Sequence, residues 1–213
     1  MSNAIELENV AISYKKVKLL HNVNLEIQTG DIVHLRGENG VGKSTFLKTV
    51  CGLKVPTSGT IKINDKVLHP GTFAPRTGIL INTPRFINNL TGFENLRILA
   101  NIKKEVSKLD IESYMRTFGL DPKSNTKVRS YSVGMLQKLG LIQAIMEKNN
   151  LLLLDEPLNG LDRSSKEKVL EVLERLHSEN PSLTMLLVSH EDFFKNIADV
   201  FYEIDQETII KMR

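Results

Sequence analysis

The segment Gly37-Glu-Asn-Gly40-Val-Gly42-Lys43-Ser44-Thr45 constrains the fold of this chain more than any other stretch. Gly37, Gly40 and Gly42 let the backbone turn tightly and bring its N–H groups against an anion, where a side chain would intrude. The run Asp31-Ile-Val-His-Leu-Arg36 before it reads as a strand, and Phe46, Leu47 and Val50 after it recur at helical spacing. Strand, glycine-rich loop and helix in this order form a G-x-x-x-x-G-K-[ST] phosphate loop. The loop backbone from Gly37 through Glu38, Asn39, Gly40, Val41 and Gly42 is expected to cradle phosphate oxygens, helped by the positive end of the following helix. Lys43 adds a full charge at the β- and γ-phosphates, Ser44 is placed to ligate Mg²⁺ through a hard oxygen, and Thr45 reaches the α-phosphate.

The 213 residues, 41% hydrophobic and 25% charged, suit one α/β unit spanning 1–213 with its own core. The formal net charge is +3, and no aromatic side chains interleave with the Lys15, Lys16, Lys18 cluster. That cluster therefore reads as a solvated edge, and no nucleic-acid partner is expected. The single cysteine, Cys51, cannot pair internally and falls on the apolar side of the helix after the loop, which suits a reducing cytosol and a packing role. No stretch approaches the roughly 20 apolar residues of a membrane-spanning helix. The start MSNAIELENV lacks the basic and apolar regions of a secretory signal, so the chain is expected to stay in the cell.

Short strands are expected at Ile5–Ile12, Val23–Ile27, Ile32–Arg36 and Thr60–Asn64, the last after a turn at Pro56-Thr-Ser-Gly59. From about Phe86 the pattern becomes helical. Thr91-Gly-Phe-Glu94 and Ser107-Lys-Leu-Asp110 are capping boxes, the second opening a helix that Gly119 closes, and Ser132 caps a third helix. The aromatic and methionine positions of these helices read as core packing. Beyond them, strand Leu151–Leu154, helix Arg163–His177, strand Leu183–Val188, helix Glu191–Ala198 and a short final strand from Thr208 to Arg213 give the alternation of a wound α/β sheet.

Leu151-Leu-Leu-Leu-Asp155-Glu156-Pro157 ends an apolar run in two adjacent carboxylates, at the strand edge where ligands bind in open α/β sheets. Strand alternation points the two apart, so they take different tasks: Asp155 holds Mg²⁺ opposite Ser44, and Glu156 polarises the attacking water. His190 ends the apolar strand Leu186-Leu-Val-Ser-His190. Alone it reads as a surface or structural histidine; one strand and one crossover helix after Glu156, it faces the same γ-phosphate. Tyr14 either stacks on a nucleobase or packs as an ordinary aromatic.

Tyr131-Ser-Val-Gly-Met-Leu-Gln-Lys138 resembles the signature of the nucleotide-binding subunits of ABC transporters. Asp155-Glu156-Pro157-Leu-Asn-Gly-Leu-Asp162, whose end resembles the family's D-loop, and His190 at the switch position extend the likeness over essentially the whole chain. The signature resembles the variant of the bacitracin-resistance and lantibiotic-immunity branch, as do Gly78-Ile-Leu-Ile-Asn82-Thr-Pro84 and the tract from Asn89 to Leu96. Val133-Gly134-Met135 stands where the family has Gly-Gly-Gln, and Asn82, one methylene shorter than glutamine, occupies the Q-loop position.

This resemblance implies a P-loop core of ABC type: a wound, mainly parallel sheet with an antiparallel β subdomain (about 1–85 and 148–213), interrupted by an all-helical signature subdomain (about 86–147). It implies ATP and Mg²⁺ as ligands, with Asn82 near the metal and Asp162 near the nucleotide. Two such domains face each other, so that Ser132 and the Gly134 N–H touch the γ-phosphate held by the partner. It further implies a separate transmembrane permease on the inner face of the cell membrane and export of a peptide or other amphiphile. A soluble ABC-type ATPase acting on ribosomes, DNA or cluster assembly is the alternative. A P-loop kinase or GTPase would leave the signature unexplained.

Overall fold

The computed structural model describes residues 2–15, 17–190 and 192–212. Among them the elements run β1 Asn3–Tyr14, β2 Val17–Gln28, β3 Ile32–Arg36, α1 Lys43–Val50, β4 Ser58–Ile63, β5 Lys66–Val67, β6 Thr77–Leu80, α2 Gly92–Lys103, α3 Lys108–Thr117, α4 Val133–Ile145, β7 Leu151–Asp155, α5 Arg163–Glu179, β8 Thr184–Val188, β9 Val200–Asp205 and β10 Thr208–Lys211.

β7 and β8 carry apolar residues at four of five positions, and β3 buries four of its five, because both of their faces are covered. Leu151 and Leu153 join the core shared with α1 and the first strands, whereas Leu152 and Leu154 join the core under the helices. Each leucine buried this way contributes about 2 kcal/mol. These strands lie in a six-stranded sheet of order β10-β9-β3-β8-β7-β6, parallel except for the β9–β10 hairpin. A four-stranded antiparallel sheet, β2-β1-β4-β5, stacks beside it.

β1 and β2 are longer than the alternation predicts because irregularities in their pairing break its period, including shifts between Leu7 and Val10. Asn9 and Asn22 take left-handed backbones (φ 49 and 48) on these strands. The first two connecting helices follow their caps as expected: Thr91 Oγ1 accepts from Glu94 N while Glu94 accepts from Thr91 N, and Ser107 and Asp110 repeat the exchange. α2, α3 and α4 all fall between β6 and β7. Instead of the helix expected over 191–198, a 3₁₀ turn spans Asp192–Asn196, and Glu191 lies outside the described residues. The expected strands omit β5, β6 and β9: Gly78 weakens the strand signal of β6, and the alternation of β9 covers only six residues. Lys16 and Arg213 also lie outside the described residues. Cys51 is buried, and burial pushes its thiol pKa up, as suits a packing residue.

α4 lies directly on the edge strand β6. A Cβ at Gly78 would overlap the Ala144 carbonyl oxygen and stand 2.7 Å from Leu152 Cδ2. Gly78→Ala is therefore expected to cost about 2–3 kcal/mol by overpacking, read as a lower urea midpoint at unchanged m-value. A wild-type midpoint would mean that α4 can move off the sheet freely.

Candidate active site

β3 delivers the chain into the glycine loop, and the backbone there is left-handed at Gly40 (φ 85) and Gly42 (φ 113). Gly37 serves differently from the sequence expectation. Its φ is not positive, but a Cβ would stand 3.0 Å from Val41 Cγ1 and 3.3 Å from Ile204 Cβ, so glycine lets the loop pack closely on β9. Gly42 is the N-cap of α1 and supplies no side-chain hydrogen bond, which leaves first-turn N–H groups for an anion. Glu38, Asn39 and Gly40 are exposed; Val41, Ser44 and Thr45 are half-buried.

The Lys43 ammonium lies inside the loop. Its side chain is 7% exposed, and Nζ donates to Gly37 O at 2.6 Å and Glu38 O at 3.0 Å, standing 3.8 Å from Glu156 Oε1. Asp155, at the end of β7, is buried. Burial pushes its carboxyl pKa up, as does the neighbouring Glu156 charge, while the Ser44 hydroxyl, the Asn82 N–H and Lys43 oppose them.

Glu156 leaves the strand with φ 46. A left-handed non-glycine residue costs on the order of 1–3 kcal/mol and persists only where surroundings hold it. Its N–H donates to Val188 O at 2.8 Å, and Oε1 accepts from His190 N at 3.2 Å and lies 2.9 Å from His190 Nδ1. The paired register Asp155↔Val188 brings the ends of β7 and β8 level, and with them Glu156 and His190. The two carboxylates thus diverge, one to Ser44 and one to His190.

Asn82 is exposed with φ 60. Asparagine tolerates this left-handed backbone better than glutamine does, which gives the shorter amide a local reason. The Tyr14 ring is 53% exposed at the end of β1, with Lys54 Nζ 5.1 Å and Lys15 Nζ 5.6 Å from its centroid. That exposure favours a stacking surface over core packing. Ser132 is exposed and caps α4 by accepting from Met135 N at 3.2 Å. Gly134 approaches the next turn, where a Cβ would stand 3.0 Å from Gly160 O. Asp162 caps α5 through Ser165 N at 2.9 Å and the hydroxyls of Ser164 and Ser165, and these bonds hold its carboxyl at about 2.

Two residues escaped sequence reasoning. Gln137 is buried on α4, and its amide donates to Glu156 O and Pro157 O. His34 is wholly buried in β3, with neither ring nitrogen hydrogen-bonded among the described residues, edge-on to Phe194 at 5.5 Å and Phe201 at 6.1 Å. Nothing in the local pattern marks either: one sits in a helix face, the other in an apolar strand.

A family model described as ABC transporter matches residues 20–159. The chain belongs to the ABC transporter family. Within it the chain is an ATP-binding subunit and an ATPase. Over 205 residues it is 38% identical to the bacitracin transport ATP-binding protein of Enterococcus faecalis, covering 94% of this chain and 66% of that protein. It is 32% identical to the lantibiotic transport ATP-binding protein of Streptococcus pyogenes, over 87% of this chain and 80% of that one. The chain thus spans about two thirds of the length of the first relative. Its fold matches a solved ATP-binding cassette, a dimer in a post-hydrolysis state bound to ADP and phosphate, with a TM-score of 0.87 and 24% identity over 98% of this chain and 99% of that one. The ABC-type architecture of two sheets and intervening helices accounts for that likeness. No helix among the described residues is long and apolar enough to cross a membrane.

Proposed function

We propose that this chain hydrolyses ATP at a site completed by a second nucleotide-binding domain, and so powers a separate transmembrane permease that exports a peptide antibiotic or another amphiphile. The observation that carries this reading is the meeting of Lys43, the Ser44–Asp155 pair, Glu156 and His190 at one sheet edge. The glycine loop and Lys43 bind the phosphates, and Tyr14 carries the base on its exposed face. Glu156 takes a proton from the attacking water, and His190, bonded to its Oε1, orients that carboxylate and meets the γ-phosphate.

The donor set suits Mg²⁺: a buried carboxylate and a hydroxyl, both hard oxygens, without the three-ligand cluster of a self-sufficient metal cage among the described residues. Ser44 and Asp155 would hold it, with Asn82 beside them. Bound there, it neutralises charge on the β- and γ-phosphates.

Ser132 and Gly134 open α4 at the surface, where the helix N-terminus can face a γ-phosphate held by a partner domain. ATP then joins the two domains, and loss of the γ-phosphate releases them, a two-state motion for the permease to use. The partner domain is a second copy or a related chain. Binding to the permease would hold the subunit at the inner membrane face. The export reading draws support from the bacitracin and lantibiotic relatives.

Purification of the tagged chain from detergent-solubilised cells is expected to bring down an integral membrane protein, and loss of the chain to raise susceptibility to a peptide antibiotic. Ribosomes or nucleic acid in place of the membrane protein would refute the reading.

A further inference from the structure

We propose that Gln137 is a positioning residue for the Glu156 carboxylate, an inference that rests on reading Glu156 as the hydrolytic base. Gln137 is 8% exposed, and its Nε2 donates 3.1 Å to Glu156 O and 3.1 Å to Pro157 O. Both amide protons are thus spent on consecutive carbonyls of the turn that leaves β7.

That turn needs holding. Glu156 is left-handed, with φ 46, and precedes Pro157, whose ring restricts the residue before it. The direction of the Glu156 side chain follows from the two peptide planes around its Cα. One is fixed by the Glu156 N–H on Val188 O at 2.8 Å. The other contains the Glu156 carbonyl, which accepts from Gln137 Nε2 and from Asn159 N at 3.1 Å each; Gln137 is the side chain that shares with the turn's own backbone in holding ψ. With both planes held, Oε1 stays on His190. The same helix touches this turn again at its first residues, where a Cβ on Gly160 would stand 3.0 Å from Val133 Cγ1. α4 thus packs on this turn both at its first residues and at Gln137.

Gln137→Met keeps the length and removes both donors. It is expected to lower kcat about 10- to 100-fold by misplacing the carboxylate, with KM for ATP little changed. Gln137→Glu supplies one donor when its carboxyl is protonated and none when it is ionised. Its kcat, normalised to wild type, is expected to rise as the pH is lowered, which a merely structural role would not produce.

In a Glu156→Gln background, Gln137→Met is expected to cause no further loss of turnover and to leave the ATP-dependent dimer intact. Wild-type kcat in Gln137→Met, a KM increase matching the kcat loss, or an additive loss in the Glu156→Gln background would overturn the inference. Should Gln137→Met fail to fold, a flat normalised profile for Gln137→Glu overturns it. Full turnover by Glu156→Gln alone would instead remove the reading of Glu156 beneath it.

Discussion

Glu156→Gln is expected to bind ATP with near wild-type affinity, to lose about 10³-fold in kcat, and to run as a dimer in gel filtration only when ATP is present. The amide keeps the size of the carboxylate, and its oxygen can still accept from His190 N, a 3.2 Å bond in the native chain. It also leaves Lys43 in the loop, where two carbonyls hold it independently of Glu156. What disappears is the group able to take a proton from water. Because phosphate binding and proton transfer use different residues, the variant separates affinity from turnover. Single-turnover hydrolysis and gel filtration with and without ATP test both halves. A variant that hydrolyses ATP at the wild-type rate would refute the assignment of the base.

The second large effect concerns acid. His34 is wholly buried, and burial, aided by the Arg36 charge, pulls its pKa from 6.5 down to about 4, against weaker opposing effects of the Ser189 backbone, Asp192 and Glu156. The unfolded chain thus binds a proton at this ring before the folded one does. Stability from this group is whole above pH 6.5 and is lost as the pH falls toward about 4, by about 3 kcal/mol in total. Against a total of roughly 5–15 kcal/mol for a domain, that is a large share. His34→Leu, similar in bulk and unable to titrate, is expected to flatten the acid limb of a urea-stability profile relative to wild type. Equal slopes for the two proteins below pH 6.5 would show that the ring is not the group being protonated.

The location of His34 gives the acid effect a place. Phe194 packs on the ring from the 3₁₀ turn that follows His190, and Arg36, one residue before the glycine loop, pairs with Asp192 of that turn at 3.1 Å. Protonation would set a second positive charge beside Arg36 and under the segment that carries His190. Acid is expected to loosen this edge of the sheet first.

Much of the candidate site was legible in the residues because its signals are local. A glycine loop between strand and helix, a carboxylate pair ending an apolar run, and caps at Thr91, Ser107 and Ser132 each specify nearby backbone, and each stands where spacing predicts. Strands were less legible where bulges or glycine broke the period, as in β1, β2 and β6. The segment over 191–198 read as a helix because it completes the α/β alternation; the structure has a 3₁₀ turn at Asp192–Asn196 whose Phe194 packs on the buried His34.

Sequence alone determined that this chain carries a glycine-rich loop between strand and helix and presents two carboxylates at a strand end, since those features depend on neighbours a few residues away. Only the tertiary structure decided that Gly37 lies tight against Ile204, that Glu156 is left-handed between Val188 and Gln137, and that His34 is buried against Phe194 and Phe201. Each of these depends on residues far apart in the chain, brought within van der Waals or hydrogen-bond range by strand order and helix packing, and no local period encodes such contacts.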